Sequence, residues 1–240
     1  MIVCETLAEM AKIIRPGVST AYLDKVAEEY MRDNGAIPSC KGYCGFPATL
    51  CTSVNDQVVH GIPSEKAILK EGDIISVDTC ATKDGFVGDS AYTFAVGEIS
   101  AEVAKLLEVT KQSLFLGIEK AIHGNRMGDI SNAVQQHCEH HGYSVVREMV
   151  GHGIGRSMHE SPEVPNYGRR GVGPMLKEGM TICIEPMINL GRKEIVIERD
   201  GWTTHTIDGK PSAHFENAVA IAKGHPIILS DFSIIEANLK

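Results

Sequence analysis

The sequence predicts an α+β fold made of two copies of one unit, related by pseudo-twofold symmetry, with a central, mostly antiparallel sheet covered by helices. The main observation is an internal repeat, because the stretch from Leu69 to Gly72 (LKEG) recurs 107 positions later, from Leu176 to Gly179. Each copy continues into a β-like stretch that ends in a carboxylate, Asp78 in the first and Glu185 in the second. A third observation is that each half has the same predicted order of a helix, a second helix and a strand-rich segment.

The helix-like segments of the two halves match at the same offset. Gly17 and Gly35 bracket one segment, and Gly124 and Gly142 bracket the other. Between these glycines, apolar residues recur at helical spacing in corresponding positions. These residues are Leu23, Val26 and Ala27 in the first half, and Ile130, Ala133 and Val134 in the second.

A second type of helix precedes each of these segments. Ser100 is a suitable N-cap for a helix that runs to about Ile122, and its counterpart in the first half occupies about Met1 to Ile14. We therefore expect a single domain, residues 1–240, made of related halves at about 1–98 and 99–240.

The strand-rich part of the first half contains a hairpin signal at Asp84-Gly85. If these are the two turn residues, Cys80 lies opposite Asp89. Because side chains alternate along a strand, Asp78, Cys80 and Asp89 then share one face, with Asp78 diagonal to Asp89. A register slip of one residue would instead leave two independent, solvated aspartates at a sheet edge.

Composition excludes several classes of function. The 240-residue chain has 43% apolar residues, enough for a continuous core, and a formal charge of −8, the wrong sign for binding nucleic-acid backbones. No stretch approaches the ~18 consecutive apolar residues of a membrane span, and the first fifteen residues lack the pattern of a targeting signal. We expect a cytoplasmic monomer that binds neither nucleic acid nor membrane.

The seven cysteines are scattered and odd in number, which favours reduced thiols over a disulfide framework. Cys40, Cys44 and Cys51 could belong to a zinc site. No fourth ligand lies nearby at a structural-zinc spacing, so the sequence disfavours this interpretation.

The acidic residues indicate metal chemistry. Repeat symmetry places Glu185 at the position that matches Asp78, and Glu216 lies inside an apolar, strand-like stretch. Buried charges cost several kcal/mol each unless they are paired or bound to metal. With Asp89 these residues make four carboxylates, which together with one histidine suit two divalent cations such as Mn, Fe, Co or Zn.

Three histidines are candidates for the same site. His152 lies in the glycine-rich stretch Gly151 to Gly155, where backbone can approach a ligand closely. A phosphate-binding loop is the alternative there, but no complete G-x-G-x-x-G or G-x-x-x-x-G-K pattern follows. His60 and His159 occupy equivalent places in the two halves, although each one singly would be read as a core or surface histidine. The histidines of the polar segment 137–141 are expected on a solvated helix face.

Taken together, these motifs resemble those of type I methionine aminopeptidases, and the resemblance covers nearly the whole chain. It is carried by motifs that occur in the order of that family, namely Ser53-Val54-Asn55 before His60-Gly61-Ile62-Pro63, the spacing from Asp78 to Asp89, Gly151 to Gly155 followed by His159-Glu160, Ile184-Glu185-Pro186, and Phe215-Glu216. The resemblance implies the duplicated pita-bread fold and removal of the N-terminal methionine from nascent proteins and peptides by hydrolysis of the first peptide bond.

The resemblance also implies roles for individual residues. The expected ligands of two divalent metal ions (Co, Mn, Fe or Zn) are Asp78, Asp89, His152, Glu185 and Glu216. His60 would contact the substrate amide nitrogen, His159 would hold the scissile carbonyl, and Glu185 would also act as a base. The side chain of the substrate methionine would be surrounded by Cys40, Tyr43, Phe46, Cys51, Met158 and Trp202. The expected partner is the N-terminal methionine of nascent polypeptides, a role with which transient ribosome association is compatible.

Two other functions share parts of this pattern. X-Pro aminopeptidases and prolidases have metal ligands in a similar order, but such enzymes usually carry a substantial additional N-terminal domain. A pita-bread binding protein without catalysis is the other alternative. Such scaffolds typically lose ligands, whereas all five candidate ligands and both histidines are present here.

Overall fold

The computed structural model describes residues 1–239, which form five α-helices, fifteen strands and a short 3-10 helix at Tyr43–Gly45. The helices are α1 (Ile2–Ile13), α2 (Thr20–Asp33), α3 (Ala101–Ile118), α4 (Met127–His140) and α5 (Ser233–Glu236). The strands of the first half are β1 (Ile37–Pro38), β2 (Leu50–Val54), β3 (Gln57–Val59), β4 (Ile74–Lys83) and β5 (Phe86–Ala95). Those that follow are β6 (Ser144–Val145), β7 (Gly151–Gly153), β8 (Glu160–Val164), β9 (Thr181–Ile184), β10 (Met187–Asn189), β11 (Ile195–Ile197), β12 (Thr204–Thr206), β13 (Ser212–His214), β14 (Glu216–Ala220) and β15 (Ile227–Ile228).

The main sheet joins strands from both halves in the order β1-β4-β5-β14-β9-β7-β8, with β2 also paired to β4 and β15 to β14. Two three-stranded sheets, β13-β10-β6 and β11-β12-β3, complete the strand pairing within residues 1–239. The strand pairs of the main sheet are antiparallel. The predicted α+β class with a mostly antiparallel central sheet is therefore confirmed.

The two halves repeat the same local contacts at the predicted offset. Gly17 N–H donates to Leu69 O at 2.8 Å, and Gly124 N–H donates to Leu176 O at 3.0 Å. In each half the LKEG stretch ends in a glycine with φ of +88°, a left-handed conformation that glycine adopts without strain. The shared contacts confirm the pseudo-twofold duplication. The division into two halves at about residue 98 stays a prediction. Lys240, the last residue of the predicted second half, lies outside the described residues.

The helices pack on the sheet through one continuous core. Helix α1 contacts β4 and β5, while α3 contacts β9, β10, β13 and β14. Leu7, Leu23, Leu106 and Ile130, one from each of the four long helices, are fully buried in this core. Burial of such a side chain stabilises the fold by about 1.5–3 kcal/mol. The core thereby packs the helices against the strands that carry the site described below.

Helix α3 starts as predicted but is shorter than expected. Ser100 is its N-cap, and the Ser100 hydroxyl accepts a hydrogen bond from Val103 N–H at 3.2 Å. The helix ends at Ile118 instead of about Ile122. Ile122 instead pairs with Ala222, whose carbonyl also accepts the N–H of His123 at 3.0 Å. This contact with a distant strand region draws the chain out of the helix. Its counterpart α1 agrees with the predicted bounds.

No helix within residues 1–239 combines the length and the apolar character needed to cross a membrane.

Candidate metal centre

The hairpin of β4 and β5 brings the first two acidic residues together. Its register pairs Cys80 with Asp89 and Asp78 with Ala91, as the Asp84-Gly85 turn predicted. The alternative register with two solvated aspartates is therefore wrong. The ligand atoms of Asp78, Cys80 and Asp89 lie within 4.8 Å of one another.

Strand β14 brings the acidic residues of the second half to the same place. Glu216 is its first residue and pairs with Ala91, which is also the partner of Asp78 on the other side of β5. On its other edge β14 pairs with β9, and Glu185 directly follows the last residue of β9. The four carboxylates thus come from four neighbouring segments that span both halves.

His152 completes the group from the short strand β7. Its Nδ1 lies 2.9 Å from Gly153 O, and a carbonyl only accepts, so Nδ1 carries the proton. The lone pair of Nε2 then lies 3.7 Å from Asp89 Oδ2 and 3.6 Å from Glu185 Oε1. A lone pair directed at two carboxylates is repulsive unless a cation lies between them. The arrangement therefore has the donor chemistry of a metal site.

The glycines beside His152 allow the close packing of β7. A Cβ on Gly153 would lie 2.4 Å from Ser161 O, which no real side chain tolerates. We predict that Gly153→Ala destabilises the protein by about 1–3 kcal/mol and weakens cation binding, because β7 must shift. The matched control is Gly88→Ala in β5, whose Cβ would meet only Val3 methyl groups at 3.7 and 3.8 Å. Thermal unfolding of both variants checks this, and equal melting temperatures would contradict it.

Several polar atoms of the acidic group are buried without a hydrogen-bond partner. These atoms are Asp78 Oδ1, Asp89 Oδ1 and Glu216 Oε1. Burial raises the pKa of Asp89 to about 7. Burial, and then the charge of Asp89, also raise the pKa of Asp78, Glu185 and Glu216 well above their usual values. The residues present therefore fit divalent cations, which would satisfy the orphaned oxygens and offset the repulsion.

These shifts predict how pH affects the metal-free protein. Burial lowers the pKa of His152 to about 4 and that of His214 to about 3, and it also lowers the pKa of His60 and His159, so above pH ~7.5 these imidazoles are neutral whether the protein is folded or unfolded. The raised carboxyl pKa values mean that the folded state binds more protons than the unfolded state there. Stability in chelator should therefore fall from pH ~7.5 to ~8.5, by about 1.4 kcal/mol per pH unit for each carboxyl protonated only when folded.

Calorimetric unfolding at several pH values measures this slope. Excess Mn²⁺ is the control, because cation binding requires ionised ligands and should remove or reverse the decline. A metal-free protein whose stability stays constant or rises between pH ~7.5 and ~8.5 would contradict the prediction.

The two histidines from equivalent places in the halves line the same cavity as the acidic group. His60 has φ of +59°, uncommon for a residue with a side chain and often found at functional sites. Its ring lies 6.0 Å from that of Trp202. His159 lies at the mouth of the cavity, with Nδ1 2.7 Å from the Tyr43 hydroxyl oxygen. Burial lowers the pKa of both imidazoles, which favours their neutral forms.

The cavity has a volume of about 210 Å³ and joins the acidic group to an apolar compartment. The compartment is lined by the six residues that the resemblance places around a methionine side chain, namely Cys40, Tyr43, Phe46, Cys51, Met158 and Trp202. Phe46 and Trp202 meet edge to face at 5.1 Å between ring centroids. The structure thus brings all predicted site residues to one cavity.

The cavity also contains residues that were not among the predicted site residues. Cys80, which the hairpin register placed on one face with Asp78 and Asp89, packs in the apolar compartment, and Met149 and Met187 line the wall. His214 is 2% exposed, and its unpartnered Nε2 lies 4.0 Å from Glu185 Oε2. A signal for His214 was available, because it stands two residues before Glu216 and period-two alternation would put both on one face.

The thiols of the compartment are in contact. Cys40 accepts hydrogen bonds from the thiols of Cys51 and Cys80, which lower its pKa and raise theirs. All seven cysteines of the chain are free thiols, as predicted. Cys44 is exposed, and the groups of residues 1–239 that could hold a metal do not join it to Cys40 and Cys51. The structure therefore gives no support to the zinc alternative.

Comparison with known proteins agrees with this geometry. Residues 1–223 match the model of metallopeptidase family M24. The chain therefore belongs to the M24 metallopeptidases, a family whose membership implies the use of divalent metal ions.

Within this family the chain groups with the methionine aminopeptidases. The methionine aminopeptidase of Clostridium acetobutylicum is 55% identical over 229 residues, which cover 95% of this chain and 92% of the relative. Methionine aminopeptidase 1 of Bacillus subtilis is 50% identical, covering 92% and 89%. The solved structure of methionine aminopeptidase from Rickettsia prowazekii superposes with a TM-score of 0.94 at 40% identity, covering 96% of this chain and 93% of that chain. The predicted pita-bread fold is confirmed.

Prolidases share the fold at a greater distance. The prolidase of Pyrococcus furiosus gives a TM-score of 0.73 at 21% identity, covering 96% of this chain but 61% of that chain. This likeness shows the fold alone.

Proposed function

We propose that this protein removes N-terminal methionine from peptides and proteins by hydrolysing the first peptide bond, with two divalent cations as cofactors. One observation carries the proposal. A single cavity joins unpartnered carboxylate oxygens to an apolar compartment that contains sulfur and aromatic groups. Membership of the methionine aminopeptidase group supports it.

The cations would be held by Asp78, Asp89, His152, Glu185 and Glu216. Oxygen-rich ligation with one imidazole suits Co, Mn, Fe or Zn. When bound, such ions act as Lewis acids and lower the pKa of water, so that a hydroxide nucleophile is available at neutral pH. The free amine of an unblocked substrate would bind one of the cations or the acidic surroundings. Peptides with an acylated N-terminus would lack that interaction and should not be cleaved.

Glu185 would act as the base of the reaction. Its carboxylate lies between His152 and His214, at 3.6 Å and 4.0 Å from their Nε2 atoms, so both oxygens have a fixed direction. One oxygen would take the proton of the attacking water and later deliver it to the leaving amine.

His159 and His60 would act on the two sides of the scissile bond. When the Tyr43 hydroxyl donates to His159 Nδ1, the proton of this imidazole lies on Nε2, where it is free to donate. His159 would thus stabilise the negative charge that develops on the carbonyl oxygen. His60, held beside Trp202, would contact the amide nitrogen.

The apolar compartment would select methionine. An unbranched thioether enters narrow, irregular space and makes favourable contacts with aromatic edges and sulfur. Phe46 and Met158 are buried in the wall, and Trp202 packs against them. Branched or shorter side chains would fill this compartment less well and lose binding energy in the transition state.

The physiological setting follows from the substrate. Nascent polypeptides would supply the N-terminal methionine, and transient ribosome association, a cytoplasmic location and a monomeric state are parts of the same proposal.

Hydrolysis of three peptides tests the proposal. Metal-free protein is incubated with Mn, Fe, Co or Zn and then with Met-Ala-Ser, Leu-Ala-Ser or Ala-Pro-Ala. We expect release of methionine alone, at a rate that depends on added metal. Cleavage only before proline would replace the proposal with an X-Pro peptidase, and absence of cleavage with every metal would favour a binding protein.

A further inference from the structure

Three thiols in the apolar compartment have no part in the proposed reaction as chemical groups. Cys40, Cys51 and Cys80 are 7%, 6% and 4% exposed and belong to one buried cluster. All three line the cavity, whose mouth is formed in part by Tyr43, 38% exposed, so small solutes reach them.

The fold brings the three thiols together from three segments. Cys51 in β2 pairs with Asp78 in β4, and Cys80 follows two residues later on the same face of β4. Beyond β1, Ser39 N–H donates to Cys80 O at 2.9 Å, which places the next residue, Cys40, against both strands. Cys40 packs with Cys51 and Cys80 in one buried cluster, and its pKa is lowered first by the thiol of Cys51 and then by that of Cys80.

Other cysteines lack this arrangement. Cys4 and Cys138 make their side-chain hydrogen bonds with the hydroxyls of Ser90 and Ser113. Cys183 contacts the carboxyl of Glu216, and Cys44 is exposed. A reaction that needs two neighbouring thiols is therefore favoured at the cluster formed by Cys40, Cys51 and Cys80.

We propose that Cys40 and Cys51 form a modification site for hydroperoxides, which convert the two thiols into a disulfide that closes the methionine compartment. The closing of the compartment rests on the proposed function, whereas formation of the bond does not.

The reaction balances with hydrogen peroxide as the oxidant. The sulfur of Cys40 attacks one peroxide oxygen, so that an S–O bond forms, the O–O bond breaks, and one water leaves with the thiol proton. The sulfur of Cys51 then attacks the resulting sulfenic acid. An S–S bond forms, the S–O bond breaks, and hydroxide leaves with the proton of Cys51 as a second water. The two thiols lose two electrons, which the peroxide gains.

The Cys40–Cys51 disulfide would affect both the binding of the substrate side chain and the position of a catalytic group. An S–S bond is about 2.05 Å long, much shorter than a thiol–thiol hydrogen bond, so it draws the loop that carries Cys40 toward β2. That loop also carries Phe46 of the compartment and Tyr43, whose hydroxyl contacts His159 Nδ1. Because a displacement of about 1 Å costs as much as ~10²-fold in rate, we expect at least a tenfold loss of kcat/KM.

The test treats the full-length protein with hydrogen peroxide, quenches with catalase and blocks the remaining thiols. Peptide mapping should show a bond between Cys40 and Cys51 with loss of two free thiols. Hydrolysis of Met-Ala-Ser should fall at least about tenfold and recover with dithiothreitol.

Variants separate this site from general oxidation. Cys40→Ser removes the thiol that attacks the peroxide and that both neighbouring thiols contact, so this variant should form no disulfide in the compartment and should keep its own starting activity through peroxide treatment. Cys44→Ser should behave as the unaltered protein. Absence of the mapped bond, a bond with unchanged kinetics, or equal activity loss in Cys40→Ser would overturn the inference. A protein that forms the mapped bond but hydrolyses no peptide when reduced would contradict the proposed function and leave the modification site standing.

Discussion

Asp89→Ala is expected to abolish cation binding and turnover together. Asp89 lies in both groups of residues whose ligand atoms are close enough to hold a metal, one with Asp78 and Cys80 and one with His152, Cys183 and Glu216. A residue that only orients a ligand typically contributes 10–100-fold to metal affinity. Because Asp89 would itself bind the cations, its loss should lower metal affinity by more than about 100-fold. Lewis-acid catalysis supplies several kcal/mol, so kcat/KM should fall by at least about 10³-fold.

Isothermal titration with Mn²⁺ and hydrolysis of Met-Ala-Ser measure the two effects. Asp33→Ala is the matched control, because Asp33 is exposed at the end of α2. Asp89→Asn separates the loss of charge from the loss of volume. It should also raise the melting temperature of the metal-free protein, since it removes one of four repelling carboxylates. Normal cation affinity in Asp89→Ala would remove this residue from the site.

His159→Ala is expected to slow turnover without releasing the cations. The loss of one hydrogen-bond donor to a developing oxyanion typically costs about 10²–10³ in kcat. His159 stands at the mouth of the cavity, its Nδ1 occupied by Tyr43, so its Nε2 is the group that faces the substrate. His159→Gln should recover part of the rate, because an amide also donates.

Steady-state kinetics and metal analysis of the same preparations check this prediction. His140→Ala provides the control, since His140 is exposed at the end of α4. The prediction fails if His159→Ala changes kcat less than about threefold, or if the variant loses its cations.

Much of the candidate site was predictable because two local signals fix it. The Asp84-Gly85 turn sets the register of β4 and β5, and that register alone puts Asp78 and Asp89 on one face. The repeat then places Glu185 beside them, because β14 joins the two halves at Ala91. The turn and the repeat are both visible in short stretches of sequence, yet each one determines a contact between residues that are far apart along the chain.

Features that depend on packing between distant segments were not predictable. The end of α3 is set by the pairing of Ile122 with Ala222, a hundred positions away. The contact between Cys40 and Cys80 depends on how the loop after β1 lies on β4, which no periodicity encodes. His214 is an intermediate case, since alternation along the strand indicates its face but not its proximity to Glu185.

Side chains from both halves are proposed to hold two cations at one place. Anomalous diffraction from crystals grown with Mn²⁺ shows whether they do. We expect two strong peaks, about 3.5–4 Å apart, among Asp78, Asp89, His152, Glu185 and Glu216. A map with no peak between these five side chains would contradict the proposal.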